Sequence, residues 1–292
     1  MRAEKKRYSP PLGRPNLAYV KIRAQSMFGD HSTRRDGLHS EAMLNSITDI
    51  GRFGTFTAGI AARMTRRPFF YKEIMEQVWT TTIRCLLPVI AVTFPFGMVM
   101  ALQGLEIFRL FGAERMLASL ISIATLREIS PVLASVLVAA QGGSSCAAAL
   151  GAMRIKEEID ATEVMAVDAL KYHAVPRVIA LTIACPLLNI AGSVAGVTGG
   201  FVTAVFLKGE PGGIFLAELW SFMGPTDLYG GIIKTTVFGL VIGLISCYHG
   251  FRASGGAAGV GKAVNDTVVY SVVSFITLNY FLTSALFGAA GS

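Results

Sequence analysis

A short charged segment between two long uncharged stretches is the feature that most constrains this chain. Residues 129–153 contain no Asp, Glu, Lys or Arg, and neither do residues 178–207. Because about 20 apolar residues cross a hydrocarbon core as a helix, each stretch is long enough to span a membrane. The charged segment, residues 154–163, must then lie at a membrane surface, held by a helix on each side.

The composition of the whole chain agrees with several membrane spans. Hydrophobic residues make up 52% of the 292 residues and charged residues 15%, and the mean hydropathy is +0.54. A typical soluble domain has about 25% charged residues, so an ordinary soluble core is excluded. We predict an all-α polytopic membrane protein. It has an amphipathic interfacial helix at 42–66 and transmembrane helices at about 83–104, 116–153, 176–207, 229–250 and 267–288.

The amino-terminal part of the chain is basic and polar. Residues 1–40 hold nine Lys or Arg against three Asp or Glu. We interpret residues 1–41 as a disordered tail near anionic headgroups, and the Lys and Arg there and in the loops at 154–177 and 251–264 predict a cytoplasmic amino terminus. No recognised fold or aromatic platform for nucleic acid accompanies the charge, so no nucleic-acid partner is predicted.

Residues typical of catalysis or metal binding are not grouped in this sequence. The four cysteines lie in apolar segments without a C-x-x-C pair and the four histidines are dispersed, so no metal site is predicted. Residues 256–263 fit G-x-x-x-x-G-K, but Ala263 stands where Ser or Thr should bind magnesium and a membrane helix precedes them. We predict a glycine-rich turn there, no cofactor on this chain, and no enzymatic activity.

Small residues recur at helical spacing in two of the predicted spans. Close approach of helices in lipid depends on such residues. Internal packing explains most of them, and some can line a dimer interface. The candidate packing glycines are Gly192, Gly196, Gly200, Gly239 and Gly243.

Arg127 and Glu128 are ionisable residues inside an apolar stretch. Such residues at membrane depth are functional candidates, and Pro131 would bend the helix beside them and open space. One interpretation is a structural ion pair, or a snorkelling pair near the outer surface. The other is a polar spot in a substrate cavity, with Arg127, Glu128 and Pro131 as the candidate cavity residues.

The charged segment itself allows two interpretations. Spacing of three or four residues would pair Arg154 with Glu158 and Lys156 with Asp160 on a helix. The segment is then either a solvated, self-paired loop helix or a coupling helix that docks into a cytoplasmic motor. Its apolar side would comprise Ile155, Ile159, Val164 and Met165. The candidate coupling residues are Arg154, Glu157, Glu158, Asp160, Ala161 and Glu163.

Several motifs together resemble the permeases of the MlaE/YrbE family, and the resemblance covers about residues 42–288. They are Leu126-Arg-Glu-Ile-Ser-Pro-Val132, Leu150-Gly-Ala-Met-Arg-Ile-Lys-Glu-Glu-Ile-Asp-Ala161, Glu163-Val-Met-Ala-Val-Asp168, Val175-Pro-Arg177 and Gly255-Gly-Ala-Ala-Gly-Val-Gly-Lys-Ala-Val264. The resemblance identifies residues 42–292 as an MlaE-like permease domain. The basic residues 1–41 are outside it.

The resemblance implies the permease subunit of an ABC transporter for lipids in the bacterial inner membrane. Such permeases pair with a second copy or a paralogue, with a cytoplasmic ATPase that binds ATP and magnesium, and with MCE-domain proteins on the far side. Glu157, Glu158, Asp160 and Ala161 match the family's coupling segment. Arg127 and Glu128 match its charged pair near the lipid cavity.

The residues alone leave other functions open. A membrane-embedded acyltransferase would need an acid–base or metal constellation at the interface, and none is seen. A channel or secondary transporter would show more ionisable residues within the spans. A non-transporting structural subunit is the remaining alternative. The lipid, the direction of transport and the choice between homodimer and heterodimer stay open.

Overall fold

A computed structural model of the chain describes residue 48 and residues 51–64 and 71–288. The chain forms two compact units, Met1–Thr55 and Phe56–Ser292. Of the first unit, residues 48 and 51–55 are described, and they are helical. The predicted tail at 1–41 lies outside the described residues, as do residues 42–47, 49–50 and 65–66 of the predicted interfacial helix.

The described residues are almost entirely helical, and no strand occurs among them. Helix α1 covers residues 51–64. Five helices in the described part are long and apolar enough to cross a membrane: α2 (Tyr71–Leu110), α3 (Glu114–Ile155), α5 (Leu170–Leu207), α7 (Pro225–Phe251) and α8 (Gly256–Phe287). Two short helices connect them, α4 (Glu158–Val164) and α6 (Gly212–Phe222). The predicted all-α polytopic class with five spans is confirmed.

The helices extend beyond the predicted spans. α2 has 40 residues, which is about 60 Å of helix and twice the thickness of a hydrocarbon core. α8 begins at Gly256, so the predicted glycine-rich turn over residues 256–263 is wrong. Gly255 and Gly256 adopt φ of 87° and 72°, a backbone that suits glycine. The turn between α7 and α8 ends at these two residues, and the glycine-rich residues that follow belong to α8.

Because short connections join consecutive spanning helices, these helices run in alternating directions. The two ends of the bundle are named here after the short helices α4 and α6. The α4 end holds the starts of α2, α5 and α8 and the ends of α3 and α7. The α6 end holds the opposite ends of these helices.

Two clusters of buried apolar side chains form the core. The larger cluster joins α2, α3, α5, α7 and α8, with Phe238 and Phe275 fully buried and their ring centroids 5.6 Å apart. Ile60 of α1 belongs to it, and Phe56 and Met64 pack against it. The smaller cluster packs α6 against α2, α3 and α5 at the α6 end. The part of α1 that belongs to the second unit therefore has an apolar side that packs on this cluster.

Glycines set the closest helix contact, between α2 and α5. A Cβ added to Gly97 would lie 1.9 Å from the carbonyl oxygen of Gly196, and one on Gly199 would lie 2.2 Å from that of Phe94. No side chain larger than hydrogen fits at this distance. Gly97 and Gly199 were not among the predicted packing residues.

The five predicted packing glycines all lie at helix contacts. Gly192, Gly196 and Gly200 face α2 or α3, where an added Cβ would come within 2.9 Å of a neighbouring side-chain atom. Gly239 and Gly243 face α5 at the backbone of Leu181 and Val178, at 2.5 and 3.0 Å. Each contact lies within this one chain.

Wide π-helical turns occur twice within α3 and at both ends of α5. They are Thr125–Ile129, Val138–Gly143, Leu170–Ala174 and Val202–Leu207. Such turns add one residue to a helical turn and are frequent at functional sites. The first contains Arg127 and Glu128, so the irregular backbone coincides with the predicted polar spot.

Candidate functional site

A network of charged and polar side chains, here called the charged network, joins α3, α7 and α8 around Arg127 and Glu128. The two residues pair with different partners on α7. Arg127 Nε donates to Asp227 Oδ1 at 2.7 Å, and Lys234 Nζ donates to Glu128 Oε1 at 3.0 Å. Both residues therefore form ion pairs, as one of the two interpretations expects, and the partner of each lies on α7.

Lys234 is the most deeply buried member of this network, with none of its side chain exposed. Besides Glu128, its ammonium donates to the Thr283 hydroxyl and to the Arg127 carbonyl oxygen, each at 2.8 Å. That carbonyl would normally accept from the amide four residues later, but Pro131 has no N–H. Lys234 thus supplies the hydrogen bond that Pro131 cannot make.

Residues of α8 complete the surroundings of Glu128. Asn279 Nδ2 donates to Glu128 Oε2 at 2.9 Å, and the Thr283 hydroxyl donates to Oε1 at 2.9 Å. The Phe287 ring lies under the Arg127 guanidinium, 4.6 Å from centroid to Cζ. Polar groups of two spanning helices, α7 and α8, therefore converge on two adjacent residues of α3.

Arg127 and Glu128 keep an accessible side despite these partners. Their side chains are 35% and 40% exposed, against 4% for Asp227. A cavity role therefore stays a prediction for Arg127, Glu128 and Pro131, while Asp227 and Lys234 support them from within.

Sequence reasoning missed Asp227 and Lys234, although a signal was present. They are the only Asp, Glu, Lys or Arg of α7, and they stand seven residues apart. A spacing of seven places two residues on the same face of a helix. One acid and one base on a single face of a span indicate partners elsewhere in the bundle.

The predicted coupling residues lie around α4, the short helix between α3 and α5. Left-handed residues bound it on both sides, Glu157 with φ 60° and Ala166 with φ 59°. The chain therefore changes direction at Glu157, after α3 has ended, and α4 starts at Glu158. Glu157, Asp160 and Glu163 are spaced by three residues but do not share one helix face, because Glu157 lies outside α4.

The ion pairs of this segment also differ from the predicted ones. Arg154 pairs with Asp160, and Lys156 Nζ lies 3.9 Å from Glu158 Oε1. The predicted pairs, Arg154 with Glu158 and Lys156 with Asp160, assumed one continuous helix. The left-handed turn at Glu157 breaks that helix and changes which side chains meet.

The apolar residues of this segment divide into an anchor and an exposed tip. Ile159 is 1% exposed and fixes α4 to the bundle, whereas Val164 is 87% and Met165 66% exposed. Ala161 and the carboxylates of Glu157, Glu158 and Glu163 are also on the surface. Of the predicted apolar side, only Ile159 is buried.

An ion pair connects Asp168, in the segment after α4, with Arg63 of α1. Arg63 Nε lies 2.5 Å from Asp168 Oδ2, and the Lys171 amide donates to Asp168 Oδ1 at 3.2 Å. Partial burial acts to raise the pKa of Asp168, but the hydrogen bonds from Arg63 and nearby amides, with the charge of Arg63, hold this pKa below its usual value. The resulting stabilisation is present above the unfolded-state pKa of aspartate and is lost as pH falls through the folded-state pKa.

Replacing Ala166 with glycine is expected to stabilise the α4 segment by up to about 1 kcal/mol. A side chain in the left-handed region costs roughly 1 to 2 kcal/mol, which glycine avoids. The matched change Ala161→Gly, within α4, should instead destabilise it by about 1 kcal/mol. Amide hydrogen exchange of residues 158–166 should slow in the first variant and accelerate in the second. Exchange that changes in the same direction in both would contradict the left-handed turn.

Comparison with known proteins places the chain in a family. Residues 74–285 match the family Permease MlaE. A probable ABC transporter permease protein of Rickettsia bellii is 35% identical over 238 residues, covering 82% of this chain and 92% of that protein. Intermembrane phospholipid transport system permease protein MlaE of Haemophilus influenzae is 29% identical, with the same two coverages of 82% and 92%.

A plant protein is similar as well. Protein TRIGALACTOSYLDIACYLGLYCEROL 1, chloroplastic, of Arabidopsis thaliana is 30% identical over 232 residues, covering 80% of this chain and 66% of that protein. The family match over residues 74–285 includes α3, α4, α5, α6 and α7 and most of α2 and α8. It also includes Arg127, Glu128, Asp227 and Lys234. The chain is a multi-pass membrane protein that belongs to the MlaE permease family.

Proposed function

We propose that this chain is the permease subunit of an ABC transporter that moves lipids between a membrane and an assembly of MCE-domain proteins. The match to the MlaE permease family over residues 74–285 carries the proposal. Relatives named ABC transporter permease and phospholipid transport permease support it. ATP and magnesium bind to a separate ATPase subunit, and this chain catalyses no reaction.

α4 is the surface on which the ATPase docks. Its exposed apolar tip, Val164 and Met165, is flanked by surface carboxylates, a combination suited to a partner with an apolar pocket rimmed by basic residues. Two residues separate α3 from α4, and five separate α4 from α5. Because these connections are short and Ile159 is buried, a displacement of α4 is passed to both spanning helices.

ATP drives transport by a shift between two conformations of the permease. The ATP-bound partner must bind one conformation more tightly than the other for α4 to move the bundle. The charged network around Glu128 then lies beside the lipid path, and its accessible side contacts the headgroup. In this arrangement the α4 end and the amino terminus face the cytoplasm, and the MCE proteins bind at the α6 end of a permease in the bacterial inner membrane.

A second permease copy or a paralogue packs on the least buried spans. Within the most apolar segment of each helix, 11% of α8 and 28% of α2 is buried, against 50–56% for α3, α5 and α7. α2 and α8 thus present the broadest apolar faces to lipid or to another subunit.

Replacing Val164 and Met165 with aspartate is expected to abolish co-purification of the ATPase. Both side chains protrude, so the change leaves the internal packing intact but puts two charges into an apolar contact. The measurement is mass spectrometry of proteins that co-purify with the tagged chain in mild detergent, followed by ATP hydrolysis by the recovered complex.

The matched control is Leu110→Asp with Phe111→Asp, an equally exposed apolar pair at the α6 end. It should retain the ATPase. Equal recovery of the ATPase with both double variants would reject α4 as the docking surface. Absence of any ATPase with the unaltered chain would reject the transporter itself and favour a channel or a structural subunit.

A further inference from the structure

A polar cavity opens between α2, α3 and α5 near the α4 end of the bundle. It has a volume of about 370 Å³ and fourteen lining residues, within the range of roughly 300 to 1,000 Å³ for small-ligand sites. Cys85, Cys146 and Leu181 form a buried floor. Eight of the fourteen lining residues are polar or charged, so the cavity is unlike the apolar clusters elsewhere in the bundle.

Two arginines from different helices line this cavity. Arg84 comes from α2 and Arg177 from α5, and Glu76 is the single carboxylate among the lining residues. The lining therefore carries one net positive charge. Arg177 donates to the His173 carbonyl oxygen at 2.6 Å, and its guanidinium has five N–H donors, enough to hold a ligand as well.

Both arginines lie where predicted spans begin at the α4 end, which is the level at which we expect lipid phosphates. Arg84 is at the start of the predicted span 83–104, and Arg177 is at the start of the predicted span 176–207. Arg84 follows Tyr71 by thirteen residues, so about 20 Å of α2 precedes the predicted span. Single arginines at this depth commonly reach towards headgroups from a helix surface. Here two of them converge on one concave site.

We propose that this cavity binds a phosphate group, most simply the phosphodiester of a lipid headgroup. One net positive charge matches the single negative charge of a phosphodiester, and guanidinium groups bind phosphate oxygens in pairs. Gln141 and Ser145 supply neutral donors from α3, and Gln141 lies in the π-helical turn Val138–Gly143.

This site is distinct from the charged network around Glu128. The two share no residue, and Gln141 lies fourteen residues beyond Arg127 on α3, about 20 Å along the helix. The proposal does not rest on coupling to an ATPase, since binding requires only the bundle. A phosphate group here would tie α2, α3 and α5 together at the end that carries α4.

The test is binding of phosphatidylglycerol to the full chain in detergent, followed by native mass spectrometry. Diacylglycerol, which lacks the phosphate, is the matched lipid. Inorganic phosphate, added as a competitor and alone, separates the two possible sources of the group. We expect phosphatidylglycerol to bind at least tenfold more tightly than diacylglycerol, about 1.4 kcal/mol. Competition by inorganic phosphate identifies the phosphate alone as sufficient, and its failure to compete identifies the lipid.

Two variants of different kinds locate the site. Arg84→Gln with Arg177→Gln removes both positive charges, and Ser145→Leu fills the cavity while keeping them. Each should weaken phosphatidylglycerol binding at least tenfold. The control, Arg115→Gln with Lys208→Gln, removes two positive charges at the α6 end and should bind as the unaltered chain does. Unchanged binding in both cavity variants, or an equal loss in the control, would overturn the proposal.

Discussion

Replacing Gly97 with alanine is expected to destabilise the protein by about 3 kcal/mol or more, the upper range for overpacking a core. The added Cβ would lie 1.9 Å from the carbonyl oxygen of Gly196. Because that atom belongs to the backbone of a buried helix, no rotamer change can relieve the contact. α2 and α5 must separate along the most extensive helix contact of the bundle.

The matched control for this variant is Gly261→Ala. Gly261 is also helical, but an added Cβ there meets nothing within 4 Å. Alanine should therefore raise helix stability by up to about 1 kcal/mol. The measurement is the midpoint of unfolding in a fixed lipid–detergent mixture, compared between the two variants and the unaltered chain. Equal midpoints for Gly97→Ala and Gly261→Ala would show that α2 and α5 are not in close contact.

The spans were predictable because the membrane imposes a length and a composition on each of them. The helix contacts were only partly predictable. Gly192, Gly196 and Gly200 repeat every four residues and so reveal a helix face. On α2, Gly97 is followed four residues later by Ala101, which is a weaker signal of the same kind than a second glycine. The partner of Gly97 is Gly196, which is distant in sequence, and no pattern within α2 identifies that partner.

The charged site shows the same limit. Arg127 and Glu128 were predictable as functional candidates because charge is rare inside a span. Their partners required the fold, since Asp227 and Lys234 are about one hundred residues away. At α4, the residues at the surface were predictable from their charge. The ion pairs were not, because the left-handed turn at Glu157 breaks the periodicity that the prediction assumed.

Glu128→Gln is also expected to lower the free energy of unfolding strongly. This change preserves the shape of the side chain but removes the negative charge opposite Lys234, and it replaces one of the two accepting oxygens with an NH2 donor. Lys234 is fully buried, so its ammonium would lose its ion-pair partner inside the bundle. Breaking a buried ion pair from one side costs about 3 to 5 kcal/mol.

A control at the α6 end tests whether the cost comes from the burial of the remaining cation or only from the loss of a carboxylate charge. Glu210 pairs with Arg109 at 3.2 Å, and the arginine of that pair is 43% exposed. Glu210→Gln makes the same chemical change, but the cation that it leaves behind is exposed to water and still pairs with Glu114 at 3.4 Å. It should therefore cost less than about 1 kcal/mol. Equal costs for Glu128→Gln and Glu210→Gln would contradict a buried, charged Lys234.

The pair is best resolved by a double-mutant cycle with Lys234→Met. Methionine fills a similar volume without a charge, and Glu128 then keeps Asn279, Thr283 and its accessible side. We therefore expect Lys234→Met to cost less than Glu128→Gln, and the double variant to be more stable than Glu128→Gln alone. The expected coupling energy is about 2 kcal/mol, measured as unfolding free energies in one lipid–detergent mixture. Additive effects of the two changes would mean that Glu128 and Lys234 act independently, and the charged network would then be two separate polar contacts.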